Sequence, residues 1–198
     1  MNHIPHPVIL EGALVRLEPL SNAHFEALIE RGKDARIWQH MNIEGNSREA
    51  LLAELRSATL MRLDKSQYPF VILEKASGKA IGTTRLFDIF FQHRKLEIGY
   101  TWYHPDFWGK GYNTECKFLL LQFCFETLAL QRVQLKTRDT NLRSQAAIKN
   151  IGAQYEGLLR KDRVMPNGEV RDTVLFSIIN DEWPAVKAML IEKTGHKP

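Results

Sequence analysis

The stretch His104-Pro105-Asp106-Phe107-Trp108-Gly109-Lys110-Gly111-Tyr112-Asn113 holds the residue types and spacing that could do chemistry. It falls between an alternating β pattern and a long apolar helical one. Two glycines two apart let the backbone turn tightly, so that successive amide N–H groups face one concavity. The unpaired N–H groups of the next helix's first turn point to the same place, and its dipole adds partial positive charge. Such a nest binds phosphate, preferably pyrophosphate, mainly through main chain. Lys110 adds a mobile charge. A Rossmann fingerprint or P-loop does not fit, because no third glycine stands at the right offset and no Gly-Lys-Ser/Thr is present. A plain turn before a helix is the competing reading.

The elements that must position this loop can be read from periodicity. Leu14, Arg16 and Glu18 alternate with Val15, Leu17 and Pro19, a short strand. Ser21-Asn22 offers a helix cap before Phe25, Leu28 and Ile29. A second helix starts at Asn46-Ser47-Arg48-Glu49-Ala50 and carries Leu51, Leu52, Leu55 and Leu60. Strands are expected at 68–74, 80–90 and 94–103, the first two joined by the turn Lys75-Ala76-Ser77-Gly78-Lys79. In the third, Leu96, Ile98, Tyr100 and Trp102 point one way and Glu97, Gly99, Thr101 and Tyr103 the other. A helix from Tyr112 to Leu128 is apolar nearly all round and therefore buried. Next come a strand at 132–137, a short helix at 142–151 closed by Gly152, and a hairpin of 154–163 with 169–179 through Pro166-Asn167-Gly168. A last helix covers 181–192. Hairpins followed by strand–helix–strand indicate a mixed sheet of the α+β class.

The segment LEIGYTWYHPDFWGKGYNTE resembles the cofactor-binding motif of the GNAT acetyltransferase superfamily, and most closely its ribosomal-protein N-terminal acetyltransferase branch. Downstream, Asp139-Thr140-Asn141-Leu142-Arg143-Ser144, then Asn150-Ile151-Gly152-Ala153 and Glu156-Gly157, resemble that branch's N-x-x-S helix and following strand. The likeness covers 10–180 in element order and 96–157 in motif detail. It implies one acetyltransferase-like domain over 1–198, with a 10–180 core and a C-terminal helix and tail at 181–198. It also implies a mostly antiparallel sheet of about seven strands, splayed at the cofactor cleft and flanked by helices. Acetyl-CoA would be co-substrate, without a metal. Its pantetheine arm would pair like an extra strand with main chain near Trp102 and Tyr103. Its pyrophosphate would rest on the amides of Trp108, Gly109, Lys110, Gly111, Tyr112 and Asn113, and Asn141 would bond the pantetheine amide region. Lys149 or Arg143 could meet the ribose phosphate or adenine.

Departures from the family pattern are Trp108 for Gln/Arg, Asn113 for a small residue, Ala153 for Phe, and Ile148 where many members carry a tyrosine acid. Acetyl transfer to an amine needs a base, a donor for the thioester oxygen and a proton for the departing thiolate. Glu97 is the candidate base, fourteen residues before Gly111, as histone-acetylating relatives place theirs. The bland alternative is a sheet carboxylate paired with Arg85 or Lys95. Ser144 stands where the branch is thought to protonate the thiolate; a helix-cap serine is the alternative. A backbone N–H near Tyr103 would meet the oxyanion. Glu115 and Lys117 read as a dipole-favoured acid and a solvated cation. Trp38, Trp102, Trp108 and Trp183 read as packing ahead of an acceptor pocket.

The 198-residue chain is long enough to bury roughly 70% of its unfolded surface. No apolar run approaches the ~20 residues of a membrane span, and MNHIPHPVIL does not read as a secretion signal. A cytoplasmic protein is expected. Cys116 and Cys124 are too far apart on a helix for a disulfide. Net charge is +4, yet nine basic residues face four acids between 131 and 171, which favours an anionic partner there.

Three readings compete. The first is an acetyl-CoA-dependent N-acetyltransferase acting in a ternary complex on a primary amine: a protein N-terminus, a lysine or a small amine. The others are a non-catalytic acyl-CoA sensor and, less favoured, a nucleic-acid module. The acceptor wall is expected from residues 21–63, where Glu44, Glu49 and Glu54 meet Arg31, Lys33, Arg36 and Arg48. Homodimerisation through the last hairpin or a strand edge stays open.

Overall fold

A computed structural model describes residues 3–41, 45, 47–165 and 168–195. Glu44, Asn46, Pro166 and Asn167 lie outside the described residues. One sheet of eight strands has the order β1-β2-β3-β4-β5-β6-β8-β7. Its strands are β1 (Leu10–Glu11), β2 (Val15–Pro19), β3 (Tyr68–Glu74), β4 (Ala80–Phe90), β5 (Lys95–Tyr103), β6 (Arg132–Arg138), β7 (Gln154–Val164) and β8 (Val170–Ile179). The helices are α1 (Phe25–Arg31), α2 (Arg48–Leu63), α3 (Tyr112–Gln122), α4 (Leu142–Asn150) and α5 (Trp183–Thr194). The expected α+β class and mostly antiparallel sheet hold. The eighth strand is β1, two residues paired with β2 and too short to show periodicity.

Among the described residues only β5 and β6 run parallel, with α3 as the crossover such a pair requires. They pair over Lys95–Glu97 against Arg132–Gln134 and then part. Two apolar layers cover the sheet. Leu96, Ile98, Val133, Leu135 and Phe176 pack beneath α3 and α5. Leu20, Leu28, Leu51, Val71 and Trp102 pack with α1 and α2 on the other side.

The expected alternation of β5 fails at Tyr100. That residue adopts φ +50°, and the register against β4 shifts between Thr83 and Arg85. A bulge inserts one residue and reverses the phase of the strand beyond it. Hence Tyr103 joins Leu96 and Ile98 in the α3 layer, while Trp102 faces α1 and α2. Gly82 is required opposite, since a Cβ there would lie 2.0 Å from the Trp102 carbonyl oxygen.

Other boundaries move for local reasons. On α2 the buried stripe is Leu51, Leu55 and Ala58, and Leu60 is 63% exposed. The α3 helix widens at Phe123–Thr127 into a π turn instead of running regularly to Leu128. Trp38 and Trp102 pack together at 5.4 Å, and Trp183 stacks on Phe125 at 5.3 Å, so these three are core. Cys116 and Cys124 are free and buried. Among the described residues no helix is long and apolar enough to cross a membrane, and no His/Cys/Asp/Glu group could hold a metal.

Candidate active site

The turn between β5 and α3 builds the concavity that its glycines suggest. Gly109 has φ +72° and Gly111, which caps α3, has φ +87°. The amides of Gly109, Lys110 and Gly111 make no hydrogen bond among the described residues. The Trp108 amide instead donates to the Pro105 carbonyl at 3.0 Å, so the open amides begin at Gly109. Tyr112 anchors the loop, its hydroxyl donating to Glu74 Oε1 at 2.8 Å and its ring lying edge-on to Phe107. Asn113 lines the cleft, and Lys110 is exposed beside the turn.

Trp108 does more than shape a wall. Its indole N–H donates to the Tyr103 carbonyl at 3.0 Å, occupying an acceptor at the end of β5. The Arg143 guanidinium sits 3.6 Å above its ring, a cation–π contact between the loop and α4. Lys149 is exposed and does not line the cleft.

Where β5 and β6 part, a cavity of about 540 Å³ opens. Glu97 sits at its floor on the last paired rung, opposite Gln134. It is 4% exposed. Its Oε2 accepts from Gln134 Nε2 at 3.1 Å and lies 2.9 Å from Lys136 Nζ. The expected partners Arg85 and Lys95 are elsewhere. Arg85 pairs with Glu54 and covers Tyr100, and Lys95 covers Phe90. Burial pushes the Glu97 carboxyl up, outweighing the pull of Lys136 and Gln134.

Asn141 caps α4, its Oδ1 accepting from the Ser144 amide at 3.0 Å. Its side-chain N–H₂ makes no hydrogen bond among the described residues. Ser144 lines the cavity with Ile148, and the structure brings both to the cleft that Glu97 floors. Trp102 and Tyr103 line it from β5. Of the charged residues expected as an acceptor wall, Arg48, Arg36 and Lys33 pair instead with Glu26, Asp34 and Glu30, and Glu54 pairs with Arg85. Ile37, His40 and Met41 supply the wall from that segment.

The acetyltransferase (GNAT) domain model matches residues 15–154. The chain belongs to the GNAT family. It is 36% identical over 110 residues to "Putative ribosomal N-acetyltransferase YdaF" of Bacillus subtilis (strain 168), covering 56% of this chain and 59% of YdaF. The match thus spans about three-fifths of that relative's length, and its name lies in the ribosomal-protein branch. The crystal structure of a GCN5-related N-acetyltransferase from Brucella melitensis superposes with a TM-score of 0.88. It is 28% identical, over 95% of this chain and 86% of that one. Mycobacterium smegmatis RimJ, solved with CoA-disulfide, shares the fold with a TM-score of 0.77 at 23% identity, over 96% of both chains.

Two residues of this GNAT domain differ from their sequence reading. Glu115, read as merely dipole-favoured, is buried, 1% exposed, and holds a specific set of partners. It accepts from the amides of Ala13, Leu14 and Val15 at 2.7–2.8 Å, tying the β1–β2 turn to α3. Gly12 makes room, because a Cβ there would lie 2.4 Å from the Glu115 carboxyl carbon. Lys117, read as solvated, is buried on the cleft side of α3 without a carboxylate in ion-pair range among the described residues. Its Nζ donates to Thr101 Oγ1 at 2.6 Å, and burial pulls its pKa down to about 8. The signal that could have found both is the helix they sit on: a nearly all-apolar helix has little solvent face for charges.

Lys117→Met is expected to raise stability by about 1–3 kcal/mol, because an unpaired buried charge is replaced by an apolar side chain of similar length. Thr84 and Thr101 keep their mutual 2.8 Å contact. The sign with pH comes from linkage. The lysine binds its proton more weakly when folded, so the wild type gains stability as pH rises from about 8 to 10.5. That rise should vanish in the variant, as urea titrations at several pH values would record.

Proposed function

We propose that this chain is an acetyl-CoA-dependent N-acetyltransferase that moves an acetyl group directly to a primary amine in a ternary complex. The observation that carries the reading is the parting of β5 and β6 directly beyond Glu97. It puts a buried carboxylate with a raised pKa at the floor of a cavity whose rim is the Gly109–Gly111 nest. Bound acetyl-CoA supplies an activated thioester, so that transfer forms a C–N bond as the C–S bond breaks.

The donor set fits such a ligand. Three unbonded loop amides and the dipole of α3 suit a pyrophosphate. The Asn141 side-chain N–H₂ and the unpaired edges of β5 and β6 suit an amide-bearing arm. Arg143, held over Trp108, adds positive charge at the rim. Glu97 takes the proton that the attacking nitrogen loses, and Lys136 and Gln134 hold its Oε2 in place. Ser144, whose amide is fixed by Asn141, is placed to protonate the leaving sulfur.

Calorimetric titration with acetyl-CoA tests the reading, beside Gly111→Trp. A tryptophan at a left-handed glycine is strained and fills the nest. Binding by the wild type, at least 100-fold weaker in a still-folded variant, together with CoA release on an amine panel, is the expected result. Binding without turnover on any amine would leave an acyl-CoA sensor instead. No binding by folded wild type would overturn both.

A further inference from the structure

The acceptor side of the cleft carries a second polar constellation that acetyl transfer does not use. Cross-strand partners share a sheet face. Glu97 opposes Gln134 on β6, Arg138 opposes Thr173 on β8, and Arg171 opposes Arg163 on β7. Residues two apart also share a face, so Gln134, Lys136 and Arg138 line up with Thr173 and Arg171. This face lies opposite the layer that holds Val133, Leu135 and Phe176.

Its charges are unbalanced. Lys136 is spoken for by Glu97, Arg138 by Glu169, and Arg163 by Asp162 at 3.4 Å. Arg171 is 8% exposed, lines the cavity, and has no carboxylate in ion-pair range among the described residues. Four buried polar atoms here lack a hydrogen-bond partner: Arg171 Nε, Arg138 Nε, Thr173 Oγ1 and Asp162 Oδ2, so donors and donor-capable groups outnumber the one orphaned acceptor. Buried donors are nearly always satisfied, and a cluster of orphans facing a cavity marks where a ligand supplies the acceptor. Burial, then the charges of Arg138 and Arg163, pull the Arg171 guanidinium below its usual range, and the carboxylates of Asp162 and Asp139 offset this only in part. An anion there would relieve both.

We infer that Arg171, with Arg138 and Thr173, binds an anionic group on the acceptor, so that the preferred substrate is an amine carrying a carboxylate or phosphate. This rests on the acetyltransferase reading above. Four residues, or ~13 Å of strand, separate Gln134 beside Glu97 from Arg138. With the reach of an arginine side chain subtracted, a spacer of about five or six bonds joins amine to anion. A polycation would meet Arg171 unpaired and be repelled.

The test uses full-length protein saturated with CoA, titrated with adipate, a dianion without an amine. Wild type is expected to bind adipate, and Arg171→Gln to bind at least tenfold more weakly while CoA affinity is unchanged. Arg171→Lys should keep part of the binding, and Arg160→Gln on the exposed side of β7 all of it. Rates on 6-aminohexanoate, hexylamine and 1,6-diaminohexane separate the charge of the distal group. The first should be preferred at least tenfold, and Arg171→Gln should erase that preference through KM with kcat within twofold. 5-Aminopentylphosphonate, with amine and anion about six bonds apart as in 6-aminohexanoate, distinguishes a phosphate-like group from a carboxylate. Adipate binding that is absent, or unchanged in Arg171→Gln, overturns the anion site, as does a preference for the diamine. Loss of CoA binding itself would fail the acetyltransferase reading instead; Arg171-dependent adipate binding would then overturn only the acceptor assignment.

Discussion

Glu97→Gln is expected to lower kcat/KM for acetyl transfer about 10²- to 10³-fold, within the range of about 10²- to 10⁴-fold that a positioned general base contributes. Acetyl-CoA affinity should stay within about twofold, because the Gly109–Gly111 amides and Asn141 lie on other elements. Glutamine has nearly the same shape, and its oxygen can still accept from Gln134 and Lys136. The fold should therefore tolerate it, and the loss falls on proton removal. The pH profile makes the assignment sharper. Burial raises the Glu97 carboxyl above its ordinary value, and only the ionised form takes a proton. The wild-type rate should climb with pH through that raised value, and the variant should lack this limb. A variant with wild-type rate would return Glu97 to the status of a sheet ion pair with Lys136.

The second large effect concerns stability. Glu115→Ala should destabilise the fold by about 4 kcal/mol. It strands three amide donors of the β1–β2 turn, each costing on the order of 1–3 kcal/mol when buried without an acceptor, with partial relief by water. For a chain of this length that lowers Tm by about 10 °C. Glu115→Gln keeps a single carbonyl oxygen for those donors and should fall between. Calorimetric melts of the three proteins would order them. Equal Tm values would mean that the turn finds other acceptors.

How much the sequence made legible depends on how local each signal is. The Gly109-Lys110-Gly111 turn, the Asn141 cap and the hairpins depend on neighbours a few residues away, so their residue types announce them. The reversal of phase in β5 was hidden because Tyr100 looks like any strand aromatic; only pairing with β4 shows the inserted residue. Glu115 and Lys117 misled for a related reason. Near a helix N-terminus an acid satisfies the dipole rule, and the partners that fix its true role lie about a hundred positions away, in the β1–β2 turn. Glu97 was placed by its distance from Gly111, but its partner Lys136 became visible only once β5 lay beside β6. The excess of positive charge in 131–171 could be counted. That Arg171 alone of its group lies buried and unmatched could not.

The three-rung seam between β5 and β6 has a mechanical meaning. Five strands stand on one side of it and three on the other, so the sheet is a wedge hinged at its narrow end. Any breathing of the two halves changes the width of the wedge most at its mouth, near Tyr103 and Arg138, and least at the fulcrum. Glu97 and Gln134 are the fulcrum. On this geometry the carboxylate would be displaced less than the walls around it. Substitutions at the mouth can therefore change its width without disturbing the residues at the pivot.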